Sequence, residues 1–326
     1  MSNALQIGII GTGGIAGQHI NALSGMENVE LAAFCDVMPS RAEAAVSKHG
    51  GKSYSSPETM FSDTSLDAVW ICLPPFAHGP AERSALTNRV PFFVEKPVGL
   101  DAGICREIAA EVEKTGLLTS VGYMNRYRHS VQVGKSLLKE DAPVLAYGAW
   151  IGRGPGAGHW WVEKAKSGGQ LIEQTTHTVD LVRYLCGEAV EVFAYATRGF
   201  NKGIEKYDIE DASTVVVKMQ NGAVVNIMSD CAASVGGGVF LNVYGSATCL
   251  RYSGWEHSVV VERAGQEPEK IPGEESIFSL EDEAFVEAIR TGNRALIRCD
   301  YADGWKTAAL ALAADKSMRT GMAVSL

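Results

Sequence analysis

Gly11-Thr12-Gly13-Gly14-Ile15-Ala16 puts small residues where a chain has to turn sharply and bring its backbone against a charged ligand. The pattern is G-x-G-x-x-A; it follows the apolar run Leu5–Ile10 and opens a helical stretch, Ile15–Leu23. Gly11 permits the turn, Gly13 leaves space for a pyrophosphate, and Ala16 lets the helix lie close to the strand, while the amides of the helix start face the phosphates. A glycine-rich turn also occurs for packing alone. Here it gains weight from Asp36, which ends the next apolar run, Val29–Cys35, at the distance expected of a ribose-binding carboxylate. A carboxylate at 36 repels a 2′-phosphate and favours NAD, and the nearby Arg41 leaves NADP open. Capping of the following helix is the competing role for Asp36, one that Ser40 could also fill.

Two further groups could move protons. Lys96 lies in Glu95-Lys96-Pro97, at the carboxyl end of an apolar run, where ligands of open parallel sheets bind. An ammonium there can hold a substrate hydroxyl, and desolvation or a nearby cation can lower its pKa; a solvated strand-end charge is the alternative. Glu173, His177 and Asp180 are spaced i, i+4, i+7, so a continuous helix over Leu171–Leu185, stopped by Gly187, carries all three on one face. An imidazole with a carboxylate one turn to either side can be oriented as a general base. By spacing alone, an amphipathic helix with a surface i,i+4 pair explains the same residues. Arg126 and Tyr127 are candidates for a cleft, with a structural ion pair as the rival role. Trp160-Trp161, after the glycine-rich loop Gly152–Gly158, could wall a sugar ring, although core packing is the better-fitting role for one of the two. Arg153 and His159 are weaker substrate candidates from that loop.

The elements that must position these residues follow from the periodicity. Strands are expected at Leu5–Ile10, Val29–Cys35, Ala68–Leu73, Val90–Val94 and Leu117–Gly122, with helices Ile15–Leu23, Arg41–Lys48, His78–Thr87 and Ala102–Lys114 between them. Apolar strands alternating with helices predict a doubly wound parallel sheet. Beyond residue 123 the pattern changes to the long helix followed by strands at Val190–Thr197, Ala212–Met219, Ala223–Ser229, Val239–Tyr244, Thr248–Tyr252 and Ser258–Val261, with Asn221-Gly222 as a hairpin turn. Helices Leu280–Arg290 and Tyr301–Met318 close the chain. The expected architecture is an α/β Rossmann domain, residues 1–123, followed by an α+β domain, residues 124–326, with a large, mainly antiparallel open sheet.

Composition sets the outer bounds. At 326 residues, 46% hydrophobic and 21% charged, the chain suits two globular domains. A net charge of -9 argues against a nucleic-acid partner, since phosphate binding needs a basic face. No apolar run is long enough for a membrane span, and no secretory leader is expected at the N-terminus. Ser2-Asn3-Ala4 reads as a cloning remnant. The seven cysteines form no CxxC pair and sit mostly in apolar runs, which predicts reduced, buried thiols in the cytoplasm. No metal-binding motif is present, so a metal is not expected.

The order of motifs (GTGGIA, Asp36, Pro74…His78, Glu95-Lys96-Pro97, Gly122-Tyr123-x-x-Arg126-Tyr127, Gly168-Gly169…His177-x-x-Asp180) resembles the Gfo/Idh/MocA oxidoreductases, the family of glucose–fructose oxidoreductase and inositol dehydrogenase. The resemblance implies hydride transfer between NAD(P) and a secondary alcohol or ketone of a sugar or polyol. It makes Lys96 the catalytic lysine, commonly followed by a cis proline bond, and His177 the acid/base. It also makes the Pro74–His78 segment a border of the nicotinamide, although His78 suits a helix start as well. Within the family's D-x-x-x-H-x-x-D motif, Glu173 replaces the first Asp with a longer side chain, and Thr175 replaces a frequent glycine. Leu73 and Pro75 replace the usual Thr and Asn. A homodimer or homotetramer through the open sheet is implied. An NAD-dependent glycoside-cleaving enzyme and a non-catalytic sensor remain as rival classes.

Overall fold

Apolar runs without polar alternation become strands covered on both faces, and the computed structural model, which describes residues 4–326, shows where they go. Ser2 and Asn3 lie outside the described residues. In chain order the first elements are β1 (Leu5–Ile10), α1 (Gly14–Ser24), β2 (Val29–Cys35), α2 (Pro39–His49), β3 (Lys52–Tyr54), α3 (Pro57–Asp63), β4 (Ala68–Ile71), α4 (Pro80–Thr87), β5 (Phe92–Val94), α5 (Ala102–Thr115) and β6 (Thr119–Val121). The strands form one sheet in the order β3-β2-β1-β4-β5-β6, parallel throughout. Ile7, Ile9, Phe34, Trp70 and Phe93 fill its core with no exposed surface. The strand order reverses between β1 and β4, which opens the crevice where such sheets bind ligands. β4 ends two residues earlier than expected because Pro74 and Pro75 follow, and proline restricts its predecessor and donates no hydrogen bond.

The chain continues through α6 (His129–Glu140), β7 (Leu145–Ile151), α7 (Lys164–Ser167), α8 (Gln170–Glu173), α9 (Thr176–Cys186), β8 (Ala189–Thr197), β9 (Ala212–Met219), β10 (Val224–Asp230), β11 (Gly238–Tyr244), β12 (Thr248–Ser253), β13 (Ser258–Arg263) and β14 (Glu269–Ile271), then α10 (Ile277–Thr291), α11 (Tyr301–Thr320) and β15 (Val324–Ser325). Nine strands make the second sheet, in the order β14-β13-β12-β11-β7-β10-β9-β8-β15. It is antiparallel except where β7 lies parallel to β10. Asn221-Gly222 forms the predicted turn, with Gly222 at φ +90°.

The structure divides into two units, Met1–Met124 with Ser276–Trp305, and Asn125–Glu275 with Lys306–Leu326. The sequence-level division at 123 leaves Ser276–Trp305 with the second domain, whereas Phe285 and Val286 of α10 pack into the core of the first unit. Strand β7, central in the second sheet, was not expected. Its middle residue, Gly148, resembles a breaker, but a side chain there would meet the Phe240 carbonyl at 2.8 Å and Thr178 at 3.1 Å.

One face of the second sheet packs Val215, Val217, Ile227, Leu241 and Val243 against Leu181, Val182 and Leu185 of α9, and that packing fixes the helix carrying His177. Leu181 is fully buried. Its replacement by Ala should cost about 2–5 kcal/mol in urea denaturation, with His177 displaced along with the helix. A loss under about 1 kcal/mol would show that α9 is held by other means.

Candidate active site

The nucleotide loop is held from both sides. Gly11 has φ +84°, and a side chain there would run into the Cys72 backbone, so glycine is demanded by the protein itself. Gly11 N–H donates to the Cys35 carbonyl at 2.8 Å, and Cys72 N–H donates to the Ile10 carbonyl at 2.8 Å. Gly13 and Gly14 are different: side chains built on them meet nothing within 4 Å. That open cradle beside the start of α1 is room a pyrophosphate would use. The helix begins without a side-chain cap or an acidic residue in its first turn, leaving its amides available to an anion. Ala16 is fully buried, as close packing of α1 on the sheet requires. Ile15 is half-buried beside it.

Asp36 orders this loop. Its Oδ2 accepts Thr12 N–H at 2.9 Å and the Thr12 hydroxyl at 3.0 Å, and its Oδ1 accepts Met38 N–H at 2.8 Å. Oδ1 keeps acceptor capacity for a ribose hydroxyl. Helix α2 begins at Pro39 with Met38 as its N-cap residue and no side-chain cap, so Ser40 does not cap it. Arg41 is exposed on the first turn of α2.

Lys96 is half-buried at the end of β5, followed by a cis bond to Pro97. Its N–H donates to Glu95 Oε2 at 2.9 Å. The other oxygen of Glu95 lies 3.0 Å from His19 Nε2. Gly122 passes so near that a side chain there would sit 3.0 Å from the Glu95 carboxyl. Sequence reasoning missed His19, because a lone histidine within a helix carries no signal until its partners are known.

His78 requires a correction. It is buried, with Nδ1 2.6 Å from Glu82 Oε1 and Nε2 3.1 Å from the Leu73 carbonyl. Glu82 also accepts Gly79 N–H at 2.6 Å, so the ring helps start α4 and has no nitrogen left for a ribose. Pro74, before the short 3-10 turn Pro75–Ala77, remains at the β4 end of the crevice.

In the second unit the expected single helix is two. Thr175 N–H donates to Gln170 O, five residues back, and His177 N–H to Gln174 O, three back, so the i→i−4 ladder breaks between α8 and α9. At the break the Thr175 hydroxyl pairs with the Ser229 hydroxyl of β10 at 2.6 Å. Glu173 therefore ends one helix while His177 lies in the first turn of the next, and the one-face spacing does not hold for Glu173, which is half-buried. His177 is buried and stacks on Trp150 of β7, with centroids 6.0 Å apart at 29°. Trp150 in turn meets Trp255 edge-on at 5.8 Å. Trp150 was not singled out, because its strand went unrecognised.

The reading of Asp180 as a carboxylate orienting His177 is also corrected. Arg126 donates to both its oxygens, at 2.8 and 2.6 Å, and the Thr307 hydroxyl adds a third bond at 2.9 Å. Arg126 and Asp180 are 2% and 1% exposed, so this is the buried structural pair that competed with a substrate role for Arg126. Tyr127 is half-buried next in the chain. Trp160 and Trp161 are half-buried beside the exposed Arg153 and His159, and the Trp161 indole N–H is covered without an acceptor. All seven cysteines are free, and burial pushes the thiols of Cys35, Cys72, Cys105 and Cys186 up to about 12. These four are poor nucleophiles at neutral pH.

Two outcomes follow from this geometry. Gly13→Val should weaken NADH binding, followed by fluorescence titration, by about tenfold or more while leaving thermal stability of the free protein intact; unchanged binding would remove the cradle from the cofactor site. Asp180→Asn strands a buried guanidinium and should lower folding stability by about 3–5 kcal/mol. A stable variant that lost only turnover would instead restore a catalytic role to Asp180.

Residues 5–123 match the family described as "Oxidoreductase family, NAD-binding Rossmann fold", and residues 143–251 match the "GFO/IDH/MocA C-terminal domain". The chain is 26% identical to scyllo-inositol 2-dehydrogenase (NAD(+)) of Bacillus subtilis, with 100% of this chain and 97% of that protein covered. It is 28% identical to inositol 2-dehydrogenase of Rhizobium meliloti, with 99% of each covered. The fold matches the crystal structure of an NAD binding oxidoreductase from Klebsiella pneumoniae with a TM-score of 0.88 at 21% identity, covering 99% of both chains. With its glycine cradle, its Asp36-ordered loop and both family domains in sequence, the chain belongs to the Gfo/Idh/MocA oxidoreductase family.

Proposed function

We propose that this NAD-dependent oxidoreductase acts on a secondary alcohol of a cyclic polyol or sugar of the inositol type, with Lys96 and His177 as its catalytic residues. Full-length likeness to two proteins named as inositol 2-dehydrogenases carries this reading, in a chain that retains both residues and an unobstructed glycine cradle. NAD, when bound, supplies the two-electron acceptor. The backbone at Gly11, Thr12, Gly13, Gly14 and Ile15 would hold its phosphates and Asp36 its ribose, with Pro74, Glu95 and Lys96 at the strand ends beside it. The charge of Asp36 disfavours a 2′-phosphate, so NAD is preferred over NADP despite Arg41.

Lys96 Nζ donates a hydrogen bond to the substrate oxygen and stabilises negative charge as it develops there. A ring nitrogen of His177 takes the hydroxyl proton, the imidazole being stacked on Trp150 at 6.0 Å. Glu173, Tyr127, Trp160 and Trp161 are the proposed substrate contacts, with the indole rings facing the apolar side of a sugar ring. The free thiols agree with a reducing, cytoplasmic setting, and no helix of the described residues is long and apolar enough to cross a membrane. Leu145, Tyr195, Val216 and Val224 are exposed apolar residues of the second sheet; they support assembly into a homodimer or homotetramer, read by light scattering.

The decisive assay follows NADH formation with inositols, aldoses, ketoses and amino sugars. Lys96→Ala should lower kcat about 10²–10⁴-fold on the active compound while NADH affinity stays within about threefold. Equal loss of both would remove Lys96 from the chemistry, and sugar release without net NADH would point to glycoside cleavage. Asp36→Ala should shift the NAD/NADP preference toward NADP; an unchanged ratio would end its ribose role.

A further inference from the structure

The deepest polar cluster of the first unit sits against the strand end that carries Lys96. His19 of α1 is fully buried, its Nδ1 2.8 and 3.0 Å from the two oxygens of Asp282 and its Nε2 3.0 Å from Glu95 Oε1. Asp282 also accepts the Trp70 indole N–H at 2.8 Å, and Phe93 and Phe278 close the sides of the imidazole, at 4.9 and 5.6 Å. Such a cluster is costly, since each ion taken from water loses several kcal/mol of hydration unless its partners restore it. An apolar residue at 19 would pack α1 on the sheet without that cost, so packing does not explain the histidine.

A neutral imidazole has one N–H, yet both nitrogens of His19 meet carboxylates, which only accept. The arrangement is satisfied when the ring carries both protons. Burial alone would lower the pKa of His19; Asp282 and Glu95 outweigh it and hold the ring well above its ordinary value. The groups facing the ring are Glu95, Asp282, Glu281 and Cys72. Burial raises Glu281 well above the usual carboxylate range, and its two oxygens are enclosed without partners. The Cys72 thiol is pushed up to about 12 and adds no charge.

We propose that His19 is a positioning residue for Lys96: bridging Asp282 and Glu95, it locks the carboxylate whose other oxygen holds the Lys96 N–H. The lysine is thereby anchored to the helix that begins at the nucleotide loop, and cofactor and lysine are placed by one rigid element. The inference rests on the reading of Lys96 as the residue that contacts substrate. His19, Glu95 and Glu281 also bring ligand atoms within 4.8 Å of one another, a spacing open to a divalent cation. The direct His19–Glu95 hydrogen bond accounts for that pair without an ion.

The test compares His19→Gln, whose amide can replace Nε2 toward Glu95, with His19→Asn, which can replace only Nδ1 toward Asp282, and with Glu281→Gln. Amide hydrogen exchange of the peptide spanning 92–98 should quicken about tenfold in H19N and stay within about threefold of wild type in H19Q and E281Q. With NAD and myo-inositol, kcat should fall about tenfold or more in H19N and recover in H19Q, while KM for NAD holds. Should H19N fail to fold, the ring ¹⁵N signals of wild-type His19 decide instead: both nitrogens protonated at about pH 8 support the bridge, and ordinary titration overturns it. Equal exchange in H19N and H19Q, or one equivalent of bound metal lost in E281Q, also overturns it. A fully active K96A would sink the catalytic reading of Lys96 and leave the exchange result standing, so the two failures are distinguishable.

Discussion

The nucleotide edge of this protein depends on one close approach, that of the Gly11 backbone to the Cys72 carbonyl. β1 and β4 are neighbours at the point where strand order reverses, and the loops that leave them must separate at once. Only a residue without a side chain, at positive φ, allows the first loop to pass. The Gly11–Cys35 and Cys72–Ile10 hydrogen bonds then clamp it between its neighbours. From that fixed start Asp36 can gather the Thr12 amide and hydroxyl. Gly13 and Gly14 are left facing open space, which separates glycines the fold requires from glycines a ligand would require.

A second constraint acts wherever polar chemistry is buried. Each charge removed from water needs a partner in place, and each unit meets this need differently. In the first, His19 joins Glu95 to Asp282, while His78 and Glu82 pair at the start of α4. In the second, Arg126 and Asp180 form a forked pair bolstered by Thr307. These pairs are expensive to form and more expensive to break, so they act as fixed points around which softer apolar packing organises. The residues proposed for chemistry, Lys96 and His177, stand one residue from Glu95 and three residues from Asp180.

Much of the architecture was legible in the residues. Apolar runs such as Leu5–Ile10 and Val29–Cys35 can only be strands buried on both faces, and their alternation with helices allows little besides a parallel sheet. G-x-G-x-x-A after the first strand, Asp36 after the second and Glu95-Lys96-Pro97 after a later one mark one edge of that sheet. Strand β7 escaped because Gly148 looks like a breaker until the Phe240 carbonyl is seen beside it. The break between α8 and α9 escaped because Gln170–Cys186 has continuous helical periodicity, and only the shifted bonds of Thr175 and His177 interrupt it.

Local pattern therefore determined the elements, their order and the glycine loop, since turn geometry and strand burial are properties of neighbouring residues. Only the tertiary structure decided which ionisable side chains remain available. Asp180 looks like a partner for His177 three residues away, but it is held by Arg126, 54 residues distant. His19 looks unremarkable until Asp282, 263 residues away, closes on its ring. The physical reason is common to both: a buried charge takes whichever partner the folded chain brings within hydrogen-bond range, and sequence spacing does not record that distance.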